Sequence, residues 1–173
     1  MMKTGEKTYL TEHFTLEELT KTGVKGVENR PQATAVTNLR NLCENWLEDL
    51  RKKYNERYNP LQTSPRGGFQ TLPLGGDGEG LPIVINSGYR SKAVNAAVGG
   101  AKGSNHLTGC AVDIRCLGPE QALRYMNILL DISDGTQRDF DELILERRSC
   151  NYWIHLAVRP KGNRRKLMFD IKH

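Results

Sequence analysis

The chain has 173 residues, of which 38% are hydrophobic and 26% are charged, and its formal net charge is +5. This length and composition suit one globular domain with a buried core, and no apolar run approaches the length of a membrane span. The modest positive charge is compatible with an anionic polymer as partner, but a solvated basic surface explains it more simply.

Two features bear on the cellular compartment. The N-terminal segment contains a lysine but lacks the apolar stretch of a secretory signal, so we expect a protein that stays cytoplasmic until it is released, or that leaves by a non-classical route. No two cysteines form a C-x-x-C pair, which predicts free thiols rather than a zinc ribbon or a redox motif. The four cysteines are Cys43, Cys110, Cys116 and Cys150.

The N-terminal part, residues 14–58, is predicted to be helical. Thr15 and Glu18 form a capping box at the start of a short helix. From about Ala33 to Tyr58 the apolar residues recur at three- and four-residue steps, which predicts an amphipathic helix whose apolar face packs into the core. That face consists of Val36, Leu39, Leu42 or Cys43, Trp46 and Leu50.

Residues 59–80 are rich in Pro, Gly, Ser and Thr, which predicts a long flexible loop. A mobile substrate lid and a disordered insertion are both compatible with this composition.

The rest of the chain predicts short strands and one longer helix. Phe140–Glu146 and Tyr152–Val158 are joined by a short connection and are predicted to pair as an antiparallel hairpin. A helix is predicted from Pro119 to Leu130, and further strands at residues 81–86, 111–116 and 167–171. We therefore predict one α+β domain over residues 1–173, in which the N-terminal helices pack on a small, mainly antiparallel sheet. Residues 81–158 form its functional core.

Two of the four histidines and one aspartate suggest a metal site. His106 precedes Asp113 by seven residues, and His155 lies in a later predicted strand. Two histidines and a carboxylate are ordinary zinc ligands, and three protein ligands leave a position open for water. The spacing alone is compatible with other roles: a loop histidine that caps a turn, and a core histidine bonded to a carboxylate. Gly109, between the first two residues, is expected to let the backbone bend close to an ion.

The residues around these three strengthen the case. The sequence S-G-Y-R-S at residues 87–91, S-x-H-x-x-G-x-A-x-D at residues 104–113 and W-x-H at residues 153–155 resemble the M15 family of zinc peptidases. These are D-alanyl-D-alanine carboxypeptidases and related peptidoglycan endopeptidases. The F-T-L-E-E-L segment at residues 14–19 resembles one branch of that family, and the likeness extends from about Phe14 to Val158.

This resemblance implies a role for each matching residue. It makes His106, Asp113 and His155 the ligands of a zinc ion, and Arg90 the residue that binds a substrate oxygen and stabilises the developing oxyanion. A guanidinium suits that role because it offers a rigid fork of donors. Ser104 is expected to donate a supporting hydrogen bond near the substrate. Trp153 shares a strand face with His155, so either a place in the substrate groove or core packing is expected of it.

The sequence departs from the family pattern at the general base. Many members place an acid three residues before the last histidine, where this chain has Tyr152. A metallopeptidase needs a group that takes a proton from the attacking water. We predict Glu146 for this role, with Glu142 and Asp141 as the other candidates.

The expected function is therefore zinc-dependent hydrolysis of peptide bonds in peptidoglycan stem peptides, by a carboxypeptidase or an endopeptidase, in a monomer of the phage lytic type. The alternative is a non-catalytic module that kept the fold and binds cell wall or peptide. A Cys–His nucleophilic pair at Cys110 would leave Asp113 and His155 without a purpose. The basic run Arg159–Lys166 lacks interleaved aromatic residues, so we expect an exposed loop and no nucleic-acid partner.

Overall fold

The computed structural model describes residues 7–58 and 80–172, and within them five strands form one sheet. Across the sheet the order is β1-β2-β4-β3-β5, in which β3 and β5 run parallel and all other neighbours are antiparallel. The strands are β1 (Ile85–Ser87), β2 (Ala111–Cys116), β3 (Glu142–Arg148), β4 (Asn151–Ala157) and β5 (Lys166–Lys172). The predicted hairpin is confirmed as β3 and β4.

The predicted helices are present with different bounds, and the helical region from Ala33 to Tyr58 contains a π-helical turn. They are α1 (Leu16–Leu19), α2 (Ala33–Leu42), α3 (Glu48–Tyr58), α4 (Lys92–Ala97) and α5 (Pro119–Thr136). A π-helical turn, Cys43–Leu47, joins α2 to α3, and a 3-10 helix spans Asn105–Thr108. Helix α5 continues beyond the predicted end at Leu130 because Ile132 extends its buried face, and it stops before Gln137, which adopts a left-handed conformation. The α+β class is confirmed.

The two faces of the sheet differ in chemistry because side chains alternate along each strand. One face, here called the core face, carries apolar side chains and packs against α5; Trp46 and Leu50 of the N-terminal helices complete the core. The core face consists of Val112, Ile114, Leu143, Leu145, Ile154 and Leu156, all buried. The opposite face, here called the open face, carries Asp113, His155, Glu142, Glu146 and Trp153.

The N-terminal helices also pack against the loops that contain Gly88 and Gly109, next to the open face. A Cβ on Gly88 would collide with the carbonyl oxygen of Leu19 at the end of α1, and one on Gly109 would collide with that of Ala35 in α2. Gly109 has a φ of 71°, a conformation that favours glycine. Helix packing and the turn are therefore enough to require glycine at residue 109.

Two further sequence predictions concern the loop at residues 59–80 and the lack of a membrane span. Residues 59–79 of the predicted flexible loop lie outside the described residues. Among the helices that are described, none has both the length and the apolar character needed to cross a bilayer.

Candidate metal centre

His106 reaches the site from the 3-10 helix that precedes β2. The Ser104 side chain caps this helix, and its Oγ accepts a hydrogen bond from the His106 backbone nitrogen at 3.3 Å. The Ser104 hydroxyl thus supports His106 as a helix cap, and its proton stays available for the predicted donated hydrogen bond. The buried His106 ring donates from Nδ1 to the Gly88 carbonyl oxygen at 2.6 Å, because a carbonyl can only accept. The Nδ1 proton is thereby engaged, and Nε2, which faces Asp113, is the ring nitrogen that can bind a metal once it has given up its proton.

Asp113 lies at the middle of the cluster, on the open face of β2. Its Oδ1 is 3.3 Å from His106 Nε2 and 2.9 Å from His155 Nδ1, and its Oδ2 accepts a short hydrogen bond from Arg90. Burial by itself would raise the pKa of Asp113. The charges and hydrogen bonds of the two histidines outweigh it and hold that pKa below its usual value.

His155 stands directly opposite Asp113 in the pairing of β2 with β4. Burial alone would lower its pKa, but the hydrogen bond and charge of Asp113, together with Glu146 and Glu142, raise the pKa of His155 overall. Its second nitrogen, Nε2, is 3.8 Å from the Glu142 carboxylate. The ring thus offers Nδ1 to the cluster and can donate from Nε2 to an acid behind it, an arrangement common for metal-bound histidines.

The three predicted ligands therefore converge as a candidate metal-binding group. His106 Nε2, Asp113 Oδ1 and His155 Nδ1 belong to residues whose ligand atoms all lie within 4.8 Å of one another. Atoms at this spacing can share one ion at metal–ligand distances of about 2.0–2.2 Å, and two imidazoles with a carboxylate suit zinc and similar divalent metals. The donor set fits a metal ion.

Arg90 lies next to this group, three residues after the end of β1. Its Nε donates to Ser87 Oγ at 2.8 Å and its Nη2 to Asp113 Oδ2, while its backbone nitrogen donates to the His106 carbonyl at 3.1 Å. The guanidinium is thus fixed next to the cluster, with its side chain 19% exposed. Among the described residues its Nη1 has no hydrogen-bond partner, so this nitrogen can bind a ligand.

Two glutamates of β3 flank the site on the same sheet face as His155. The pairing of β3 with β4 places Ile144 opposite His155 and Glu146 opposite Trp153, so Glu142 and Glu146 lie on either side. Burial is the main cause that raises the pKa of Glu146, and the nearby Asp113 charge adds to it. Glu146 is 3.5 Å from Arg148, whereas Glu142 is paired with Arg164 at 3.0 Å.

Of the other residues that the sequence singled out, Trp153 lies on the open face, whereas Tyr152 and Cys110 do not face the site. Trp153 is half-buried on the open face, with the Arg148 guanidinium 5.7 Å from its ring centre. Tyr152 lies on the core side, paired with Cys116, so an acid at this position would point away from His155. Cys110 is buried, as expected of a small packing residue, and burial raises the pKa of its thiol.

Asp141 proves to be a structural carboxylate, which does not fit the role of a base. It is fully buried and accepts hydrogen bonds from Asn105 at 2.9 Å and from Arg164 at 2.8 Å, and it is 2.6 Å from Arg159 Nη2. The hydrogen bonds of Arg164 are the main cause that lowers the pKa of Asp141.

Sequence reasoning missed this Asp141 cluster. It assigned the run Arg159–Lys166 to an exposed loop, and these residues do connect β4 to β5. Two of the arginines, however, turn back onto the sheet beside His155. A cluster of arginines directly after a strand that carries a predicted metal ligand was the one available signal.

The comparison with known families matches the part of the chain that contains this site. The family model described as Peptidase M15 matches residues 76–156, which include the three residues of the metal-binding group, Arg90 and both β3 glutamates. No curated protein matches the chain.

Proposed function

Since this chain belongs to the M15 peptidase family, we propose that it is a zinc-dependent hydrolase of peptide bonds in peptidoglycan stem peptides. The observation that carries the proposal is the convergence of His106 Nε2, Asp113 Oδ1 and His155 Nδ1 within the matched segment. This is a two-histidine, one-carboxylate set that leaves room for water and substrate.

The chain's own residues supply the other parts of such a reaction. When bound, a zinc ion polarises the scissile carbonyl and activates water for attack. Arg90, fixed by Ser87 and Asp113, donates to the oxygen on which negative charge develops. The Gly88 carbonyl holds His106 in the tautomer that presents Nε2.

We assign the general base to Glu146. Its carboxylate is on the open face, it is close enough to Asp113 and His155 for their charges to affect it, and burial raises its pKa towards the range in which a base accepts a proton. Glu142 is nearer to His155 Nε2, but Arg164 and Lys166 hold it in ion pairs. Its role is then to orient the His155 ring.

The substitution Glu146→Gln tests this assignment, with Glu142→Gln as the matched variant. We expect Glu146→Gln to lower kcat by about 10²–10⁴-fold while bound zinc stays unchanged, because an amide cannot accept the proton. Glu142→Gln is expected to lower activity less, and mainly through weaker metal binding. The reverse ranking at full zinc occupancy would transfer the role to Glu142.

The proposed function itself is tested on the purified protein by metal analysis and by mass spectrometry of digested muropeptides. We expect one zinc per chain, and cleavage that a chelator abolishes and added zinc restores. The masses of the products identify the bond that is cut and separate a carboxypeptidase from an endopeptidase. A protein without stoichiometric metal would contradict the enzyme proposal. Metal without cleavage would favour a wall- or peptide-binding module.

A further inference from the structure

A cavity of about 360 Å³ opens beside His155. Ser104, Asn105 and Glu142 line it together with His155, and two arginines, Arg159 and Arg164, form the wall contributed by the loop after β4. The cavity therefore begins at a proposed metal ligand and ends at a pair of guanidinium groups.

Arg164 is held in one orientation by a buried acid. Its Nε and Nη2 each donate to one Asp141 oxygen at 2.8 Å, and the fully buried Asp141 is tied in turn to Asn105, the neighbour of His106. A guanidinium fixed in this way loses little further freedom when it binds a ligand, which favours affinity. Among the described residues, its remaining nitrogen Nη1 has no hydrogen-bond partner, and the side chain is 53% exposed.

Arg159 adds a second cation to the same wall. Its Nη2 is 2.6 Å from Asp141 Oδ1 and also donates to the Gly162 carbonyl. Its Nε is buried and has no hydrogen-bond partner in the described part of the chain. The Arg159 side chain as a whole is nevertheless 35% exposed, so it contributes positive charge to the cavity wall.

The charges exposed in the cavity are predominantly positive. Asp141 is 0% exposed, so its charge is hidden behind the two arginines that it orients. Glu142 is compensated by Arg164 at 3.0 Å and by Lys166 at 3.3 Å. Two arginines and two carboxylates thus line the cavity, but Arg159 and Arg164 are 35% and 53% exposed whereas Glu142 is only 19% exposed, so the accessible charge is mainly positive.

We propose that Arg159 and Arg164 form a subsite for a carboxylate of the substrate, a proposal that rests on the peptidase function above. One Glu142 oxygen is 3.8 Å from His155 Nε2 and the other is 3.0 Å from Arg164 Nη2. A single carboxylate group therefore separates the subsite from the candidate metal-binding group. The recognised carboxylate is therefore close to the scissile bond. It is either the C-terminal carboxylate of the peptide or the side-chain carboxylate of an acidic residue next to that bond.

The test uses three stem peptides with one sequence. The first has free carboxylates, the second a C-terminal amide, and the third a carboxamide in place of the acidic side chain. Preference for the free acid is measured on the zinc-loaded protein as a ratio of kcat/KM where the peptide is cut, and as a ratio of Kd by calorimetry where it stays intact. We expect one of the two replacements to lower kcat/KM, or to raise Kd, by about tenfold or more relative to the free acid. This is the usual effect of losing a charged hydrogen bond.

Arg164→Gln and the neighbouring Arg165→Gln form the matched pair of variants. Arg165 has the same charge but contacts Ser133, Asp134 and Asp139 on the α5 side. Both variants lose one positive charge, so a long-range electrostatic effect changes equally in both. We expect the preference to fall to near one in Arg164→Gln and to persist in Arg165→Gln.

Further variants guard against a folding artefact. Arg159→Gln is expected to reduce the preference as well, and Arg164→Lys, which keeps the charge but not the fork, to retain part of it. Equal treatment of all three peptides by the folded wild-type protein would overturn the proposal, as would equal losses in Arg164→Gln and Arg165→Gln. A protein that prefers the free acid but cuts no peptide would keep the subsite and overturn the peptidase function.

Discussion

The open and core faces of the sheet are built from the same strands yet serve opposite purposes. In β2, Asp113 lies between Val112 and Ile114, and in β4, His155 lies between Ile154 and Leu156. The four apolar neighbours are 0% exposed and pack into the core, whereas the two polar residues point to the proposed metal site. Strand alternation thus brings each proposed strand ligand within one residue of the best-packed part of the molecule.

The proposed site is rigid because its two strand residues are each flanked by core residues. A ligand placed between two core residues has a backbone that cannot shift without disturbing the core, so its position is fixed to a fraction of an ångström. His106 lacks such neighbours because it comes from a short 3-10 helix. It is secured instead by the Gly88 carbonyl and the Ser104 cap.

The largest expected effect comes from substitution at the centre of the open face. Asp113→Asn should abolish metal binding at neutral pH and lower turnover by at least about 10³-fold, because the amide removes the charge that both histidines share. Ile114→Val, one residue away on the core face, should keep the metal and lose only about 0.5–1.5 kcal/mol of stability. Metal analysis and urea unfolding measure the two effects, and a metal-free but folded Ile114→Val protein would contradict the separation of the faces.

A second pair tests the faces through stability. Leu156→Ala should lower the free energy of unfolding by about 2–5 kcal/mol, since this fully buried side chain leaves a cavity in the core. Trp153→Ala, three residues earlier on the open face, should cost less stability and act mainly by raising KM. Urea unfolding and steady-state kinetics separate these outcomes. If Trp153→Ala proved as destabilising as Leu156→Ala without changing KM, Trp153 would belong to the core.

The smallest effect concerns the acid that supports the cavity wall. Asp141→Asn should lower the free energy of unfolding by about 1.5–3 kcal/mol at pH 7, because Arg159 and Arg164 lose a charged partner. Its pKa is lower in the folded protein than in the unfolded chain, so the stabilisation is present above the ordinary aspartate range and is lost as pH falls below it. Urea unfolding of both proteins at pH 7 and at about pH 3 should show the difference narrowing. A difference independent of pH would mean that the charge is not responsible.

The sequence allowed the fold class, the hairpin and the three converging residues to be predicted. Alternating apolar residues identified β4, and the motif around His106 and Asp113 has a specific pattern of glycine, serine and histidine. The position of Glu146 relative to His155 could not be derived, because it depends on the register of β3 with β4, and a shift of one residue would have moved it to the core face. The Asp141 cluster was also beyond reach, since it joins residues 105, 141, 159 and 164 through tertiary contacts alone.

The close approach of Gly88 and Gly109 to the N-terminal helices has a consequence for anyone who wishes to move this site into another protein. The segment recognised by the family model begins at residue 76, but the carbonyl oxygens of Leu19 and Ala35, against which these glycines pack, come from before it. Tyr89 also donates to the Leu19 carbonyl at 2.8 Å, and Asn38 donates to the Thr108 carbonyl at 2.9 Å. The smallest unit that could be moved into another protein therefore has to include helices that contribute no ligand. These helices fix the conformation of the loops at the proposed metal centre.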